Sequence, residues 1–135
     1  MEKQKYAAIV LAAGSGKRMN SKVHKQYLII QDRPVLYYSL KAFEDSAVDE
    51  IVLVVGKGEE KFCRKEIVDK YGISKVKAIV EGGKERYHSV FEGLKQTSDA
   101  DYVLIHDGAR PFVNQEIIRR CMLEVPEYQA CVVGM

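Results

Sequence analysis

The segment Ala12-Ala13-Gly14-Ser15-Gly16-Lys17-Arg18 follows directly on the apolar run Tyr6–Leu11, and its residue types suit a polyphosphate. Small residues expose backbone N–H groups, Gly14 and Gly16 let the chain approach a ligand closely, and Lys17 and Arg18 add two cations. Lys25 stands a short loop further on and could reach the same anion. The alternative is an ordinary turn rich in small residues. Two familiar glycine loops do not fit. A Walker A loop needs a glycine where Leu11 stands and a serine or threonine where Arg18 stands. A dinucleotide fingerprint needs a third glycine in the place of Met19.

Two further stretches could do chemistry. Glu81-Gly82-Gly83-Lys84-Glu85-Arg86-Tyr87-His88-Ser89 places a glycine pair at the start of a helical pattern, with Arg86 and Ser89 in its first turn. It offers more backbone donors to an anion, or else is a plain turn with a solvated Arg86. In His106-Asp107-Gly108-Ala109-Arg110-Pro111 a carboxylate sits at the tip of an apolar run, three residues before an arginine. Asp107 suits Mg²⁺, which takes oxygen ligands and is often held by one or two carboxylates together with substrate phosphates. Its alternatives are to cap the loop or to pair with Arg110. His24, His88 and His106 lack metal-ligand spacing and have no serine or cysteine at motif distance, so they read as structural or solvent-facing. His106 reads as a support for Asp107.

The elements that must position these loops are legible from hydrophobic pattern. Tyr6–Leu11, Glu50–Val55, Val76–Val80, Tyr102–His106 and Ala130–Val133 are apolar runs of strand length, continuous rather than alternating, as in a sheet buried on both faces. Helical stripes lie between them. They are Leu36/Tyr37/Leu40/Phe43 after Pro34, then Phe62/Glu66/Val68/Tyr71 ending at Gly72, and Tyr87/Val90/Phe91/Leu94. Ile117/Ile118/Cys121/Met122/Val125 follow, with Asn114 as N-cap and Pro126 as stop. The order β-α-β-α-β-α-β-α-β predicts a three-layer α/β/α fold around a mostly parallel, Rossmann-like sheet. Such folds bind ligands beyond the carboxyl ends of the strands, where all three loops would meet.

Bulk properties narrow the function classes. The 135 residues make one domain, and a hydrophobic content of 47% with 30% charged residues is ordinary for a globular protein. A net charge of +2, with acids and bases interleaved, argues against a nucleic-acid partner. No apolar run is long enough to cross a bilayer, and Met1-Glu2-Lys3-Gln4-Lys5 lacks a signal-peptide pattern. Cys63, Cys121 and Cys131 are odd in number and widely spaced, which reads as reduced core thiols and an expected cytoplasmic location.

Taken together, the motifs resemble the 2-C-methyl-D-erythritol 4-phosphate cytidylyltransferases of the non-mevalonate isoprenoid pathway. The matching pieces are Ala12 to Met19, Lys25-Gln26-Tyr27-Leu28, Gly82 to Arg86 with Ser89-Val90, Gly93-Leu94, and His106 to Pro111. They stand in the family's order and cover nearly the whole chain. The first loop is shared widely among nucleotidyltransferases; the set is specific. The resemblance implies a nucleotidyltransferase sheet and transfer of CMP from CTP to a sugar-alcohol phosphate, methylerythritol 4-phosphate, with Mg²⁺ or another divalent cation and release of pyrophosphate. It implies that Ala12, Ala13, Gly14, Ser15, Gly16 and Lys17 wrap the triphosphate, and that Arg18 and Lys25 act on the α-phosphate. Ala13, Gly82 and Ser89 would hold cytosine, with Arg86 at the rim, Asp107 on the metal and Arg110 on the acceptor side. Gly108 stands where the family more often has alanine. Family members continue for about a hundred residues beyond the equivalent of Met135, supplying further acceptor-binding residues and a dimer-forming arm. The expectation is therefore that residues 1–135 are the nucleotide-binding part of a truncated cytidylyltransferase domain. A ribitol 5-phosphate cytidylyltransferase carries the same motifs, and a form that binds CTP without turnover is a third reading.

Overall fold

In chain order the elements are β1 (Tyr6–Ala12), β2 (Ile29–Ile30), β3 (Arg33–Pro34), α1 (Val35–Glu44), β4 (Glu50–Val55), α2 (Glu60–Cys63) with a π-helical continuation (Arg64–Asp69), β5 (Val76–Glu81), α3 (Arg86–Lys95), β6 (Tyr102–Asp107) and β7 (Ala130–Val133). This computed structural model describes residues 5–12, 29–30, 33–83, 85–97, 99–107, 116–120, 122 and 130–133. All five apolar runs are strands of one parallel sheet, in the order β5-β4-β1-β6-β7. The expected α/β class, its parallel sheet and the five strands are therefore present. The two-residue hairpin β2–β3 was not foreseen. Strands so short carry no periodic signal.

Both faces of the sheet are covered. Ala8, Val10, Ala12, Ile51, Leu53 and Val55 pack with α1 and α2 on one face, whereas Ile9, Leu11, Val52, Val54 and Val103 form a smaller cluster on the other. That alternation explains the continuous apolarity of β1 and β4, because successive side chains enter opposite layers. α1 buries Leu36, Tyr37, Leu40 and Phe43, the stripe read from its sequence. Residues 116–120 are helical, with Ile118 buried in the larger cluster; Asn114, Cys121, Val125 and Pro126 lie outside the described residues.

Two stripes differ from expectation. In the second, Cys63, Ile67 and Val68 are the buried residues, while Phe62 is 48% exposed. The π-helical turn adds a residue per turn, so neighbours Ile67 and Val68 both point inward and the 3.6-residue phase is lost. In α3, Tyr87, Phe91 and Leu94 are exposed, and only Val90 of the predicted stripe packs against the sheet. The inward positions are Ser89 and Gly93, four residues apart, followed by Thr97. Gly93 lacks a side chain and lets the helix backbone lie against Ile9 and Val54.

At the amino ends of the strands, Glu50 lies between Lys5 (3.5 Å) and Lys77 (3.1 Å), and Lys5 also bonds Asp99 at 2.6 Å. The Glu44 carboxylate accepts from the Ser74 hydroxyl and from Lys75 N–H (2.8 Å), tying α1 to the start of β5. Burial pushes Glu44 up, but the bonds from Ser74 and Lys75 prevail and hold it below the ordinary carboxylate range. The Lys5 bond holds Asp99 low as well. A carboxyl depressed by folding contributes stability above its unfolded pKa, and that contribution is lost as pH falls through the folded value. Stability should thus be level above about pH 5 and fall below about pH 4, and Glu44→Gln should flatten the acid limb. Urea unfolding midpoints across this range test it; a parent midpoint constant down to about pH 3 would overturn it.

Candidate functional site

Parallel strands deliver their carboxyl ends to one edge, and the register fixes what meets there. Ala12 lies opposite Val55, Val55 opposite Glu81, and Leu11 opposite Asp107. The last residues of β1, β4, β5 and β6 therefore line a single rim. Ala12, the last residue of β1, is 1% exposed.

The exit from β5 is closely built. Gly82 N–H donates to the Val55 carbonyl at 2.8 Å, and Gly58 N–H donates to Glu81 Oε2 at 2.6 Å, tying the residue after β5 to the end of β4 and the loop after β4 to the end of β5. Gly82 thus has its amide committed to the sheet, and what it can turn toward a ligand is its carbonyl oxygen and its bare Cα. A side chain at Gly83 would begin 2.2 Å from the His88 Cβ, so the turn into α3 needs a glycine there. His88 Nδ1 accepts from Glu85 N–H at 3.3 Å while its own N–H donates to the Glu85 carbonyl at 3.0 Å. His88 is a structural residue of the helix start, as its sequence context suggested. Arg86 opens α3, and Ser89, 4% exposed, faces inward in the first turn.

β6 divides its last two residues between the layers. Leu104 belongs to the α1 side, Val103 and Ile105 to the α3 side. His106, wholly buried, continues on the α1 side, where a hydrogen bond of 3.2 Å joins its Nε2 to Ser39 Oγ and the Phe43 ring lies 5.6 Å away. The alternation turns Asp107 to the other side, the side of Ser89. Among the described residues no three His, Cys, Asp or Glu side chains converge on one point. Asp107 would give a cation one carboxylate, and ligand oxygens and water could fill other positions of its shell. A carboxylate at the end of β6 fits Mg²⁺, which keeps waters and phosphate oxygens.

Ala12, Gly82, Ser89 and Asp107 are thus gathered at one rim, with the Arg86 backbone beside them. Ala13, Gly14, Ser15, Gly16, Lys17, Arg18, Lys25 and Arg110 lie outside the described residues. Sequence reasoning missed Ser39, whose one signal is a hydroxyl set among the apolar residues Leu36, Leu40 and Phe43. No described helix is long and apolar enough to cross a membrane.

The model of the family described as 2-C-methyl-D-erythritol 4-phosphate cytidylyltransferase matches residues 6–135. A curated protein of that name from Lachnoclostridium phytofermentans is 54% identical over 132 residues, which are 98% of this chain and 57% of that protein. One from Lachnospira eligens is 54% identical over 128 residues, 94% of this chain and 56% of the relative. The crystal structure of 4-diphosphocytidyl-2C-methyl-D-erythritol synthase from Anaerococcus prevotii aligns with a TM-score of 0.74 at 33% identity, covering 90% of this chain and 51% of that one. The chain spans little more than half the length of the curated relatives it matches.

Proposed function

The chain belongs to the 2-C-methyl-D-erythritol 4-phosphate cytidylyltransferase family, and from that premise we propose that it binds CTP and transfers CMP to methylerythritol 4-phosphate, releasing pyrophosphate. The observation that carries this reading is the rim itself: Ala12, Gly82, Ser89 and Asp107 come from four separate stretches and share one sheet edge. A phosphate oxygen of the acceptor attacks the α-phosphorus in line as pyrophosphate departs. Both reactants are anions, so the main task is to neutralise charge and align the two. No general base is required, because the attacking phosphate is already ionised at neutral pH.

Each residue then has a role the chemistry asks for. The backbone from Ala12 to Lys17 cradles the triphosphate, and Arg18 and Lys25 oppose the charge that builds on the α-phosphate. Ala13, Gly82 and Ser89 hold the cytosine, Arg86 stands at its rim, and Arg110 shapes the acceptor side. Asp107 would hold Mg²⁺ or another divalent cation against the phosphates, and that cation supplies further charge neutralisation when bound. Pyrophosphate release from CTP and Mg²⁺ tests the proposal, with methylerythritol 4-phosphate and ribitol 5-phosphate as separate acceptors. Release with the first acceptor alone is expected. Release with ribitol 5-phosphate alone would reassign the acceptor, and CTP binding without release would leave a nucleotide-binding unit that does not turn over.

A further inference from the structure

A wholly buried histidine at the tip of a strand calls for a physical reason. β6 could carry an apolar residue at position 106 and pack against α1 without desolvating an imidazole. A buried polar side chain costs stability unless it is hydrogen-bonded, and what it adds in return is direction. His106 has both. Its Nε2 is joined to Ser39 Oγ at 3.2 Å, and its ring lies 5.6 Å from the Phe43 ring at an interplanar angle of 60°. Ser39 and Phe43 are four residues apart, so one face of α1 grips the imidazole from two positions. Ser39 itself is wholly buried.

The grip falls at a point of consequence. His106 is paired in register with Val10 and Asp107 with Leu11, one residue before the glycine loop departs from Ala12. Apolar contacts hold a strand against a helix but let its end slide or twist by small amounts. A hydrogen bond to a fixed hydroxyl does not. With His106 locked on the α1 side, the backbone that carries Asp107 toward the opposite side has one orientation.

We propose that Ser39 and His106 are a positioning pair that sets the β6 terminus, and through it aims the Asp107 carboxylate at a divalent cation bound together with CTP. The proposal rests on the assignment of Asp107 as a metal ligand made above. Neither Ser39 nor His106 touches the cation; they act through the one residue that follows. The effect belongs to cation affinity rather than to nucleotide affinity.

The experiment is a Mn²⁺ titration of the 135-residue chain followed by electron paramagnetic resonance, at saturating CTP, beside calorimetric CTP binding without divalent cation. Ser39→Ala removes a single hydroxyl and should keep the fold. It should weaken Mn²⁺ binding in the CTP complex by roughly tenfold, the low end for loss of a group supporting a metal ligand, and leave cation-free CTP affinity within about twofold. His106→Leu should weaken Mn²⁺ binding similarly, and His106→Gln, which restores a polar nitrogen, should recover part of it. A folded Ser39→Ala chain with parental Mn²⁺ affinity overturns the proposal. So does a loss of cation-free CTP affinity equal to the loss for Mn²⁺, because that is general loosening. Asp107→Asn in the same titration separates the two levels. If it binds Mn²⁺ as the parent does, the metal assignment of Asp107 falls, whatever Ser39→Ala does.

Discussion

Gly93→Val should lower the midpoint of thermal unfolding by at least about 10 °C, from a substitution at one helix position with no polar role. A Cβ at this position would stand 2.7 Å from Ile9 Cγ2 and 3.2 Å from Val54 Cγ2. Both partners are wholly buried on the neighbouring strands β1 and β4, so they have no solvent to retreat into. For Gly93→Ala the clash, about 1–3 kcal/mol of overpacking, is partly offset by roughly 1 kcal/mol of helix propensity. Valine adds two more carbons to the same gap and forgoes most of that propensity, so its cost should exceed about 3 kcal/mol. The consequence reaches the rim. Ser89 lies one turn earlier on the same inward face, and a helix pushed off the sheet carries it away from the strand ends. Calorimetric unfolding and CTP binding of the valine variant should fall together. A variant that melts within about 2 °C of the parent would mean that Gly93 does not set the helix-to-sheet distance.

On the proposed assignment, Lys25→Ala should reduce turnover by about 10²–10³-fold and leave CTP affinity within a few-fold. The reason is where the charge appears. In the bound nucleotide the negative charge is spread over three phosphates, which on that assignment would already be met by backbone N–H groups of the loop from Ala12 to Lys17. In the transition state the α-phosphate gathers charge from an incoming phosphate as well, and a cation directed there interacts most strongly at that moment. An interaction that strengthens only in the transition state raises kcat rather than affinity. Lys22, three residues earlier and given no part in the site, is the internal control: Lys22→Ala should leave both quantities unchanged. Equal losses in CTP affinity and rate for Lys25→Ala would make Lys25 a binding residue, and an unchanged rate in a folded chain would remove it from the site.

The strands, their number and their direction were legible in the sequence because the cause is local. A run such as Ile51-Val52-Leu53-Val54-Val55 must be covered on both faces, and only a sheet between two helix layers does that. The rim followed from the same logic, since parallel strands bring every loop that follows a strand to one side. Helix α1 was legible too, its apolar stripe being the face it buries.

What the sequence by itself determined, then, is the parallel sheet, the glycine- and cation-rich stretch that follows β1, and the delivery of Ala12, Gly82 and Asp107 to one edge. The tertiary structure decided which side of α3 faces inward. Periodicity measures spacing, and a stripe of Tyr87, Phe91 and Leu94 gives the same period as the buried row through Ser89 and Gly93. Close approach selected the small residues, because Ile9 and Val54 leave no room for large ones. The tertiary structure also decided that the Gly82 amide belongs to β4 and that Ser39 meets His106. Those bonds join residues 27 and 67 positions apart in the chain, and no local pattern encodes a contact that exists only once helix and strand are laid side by side.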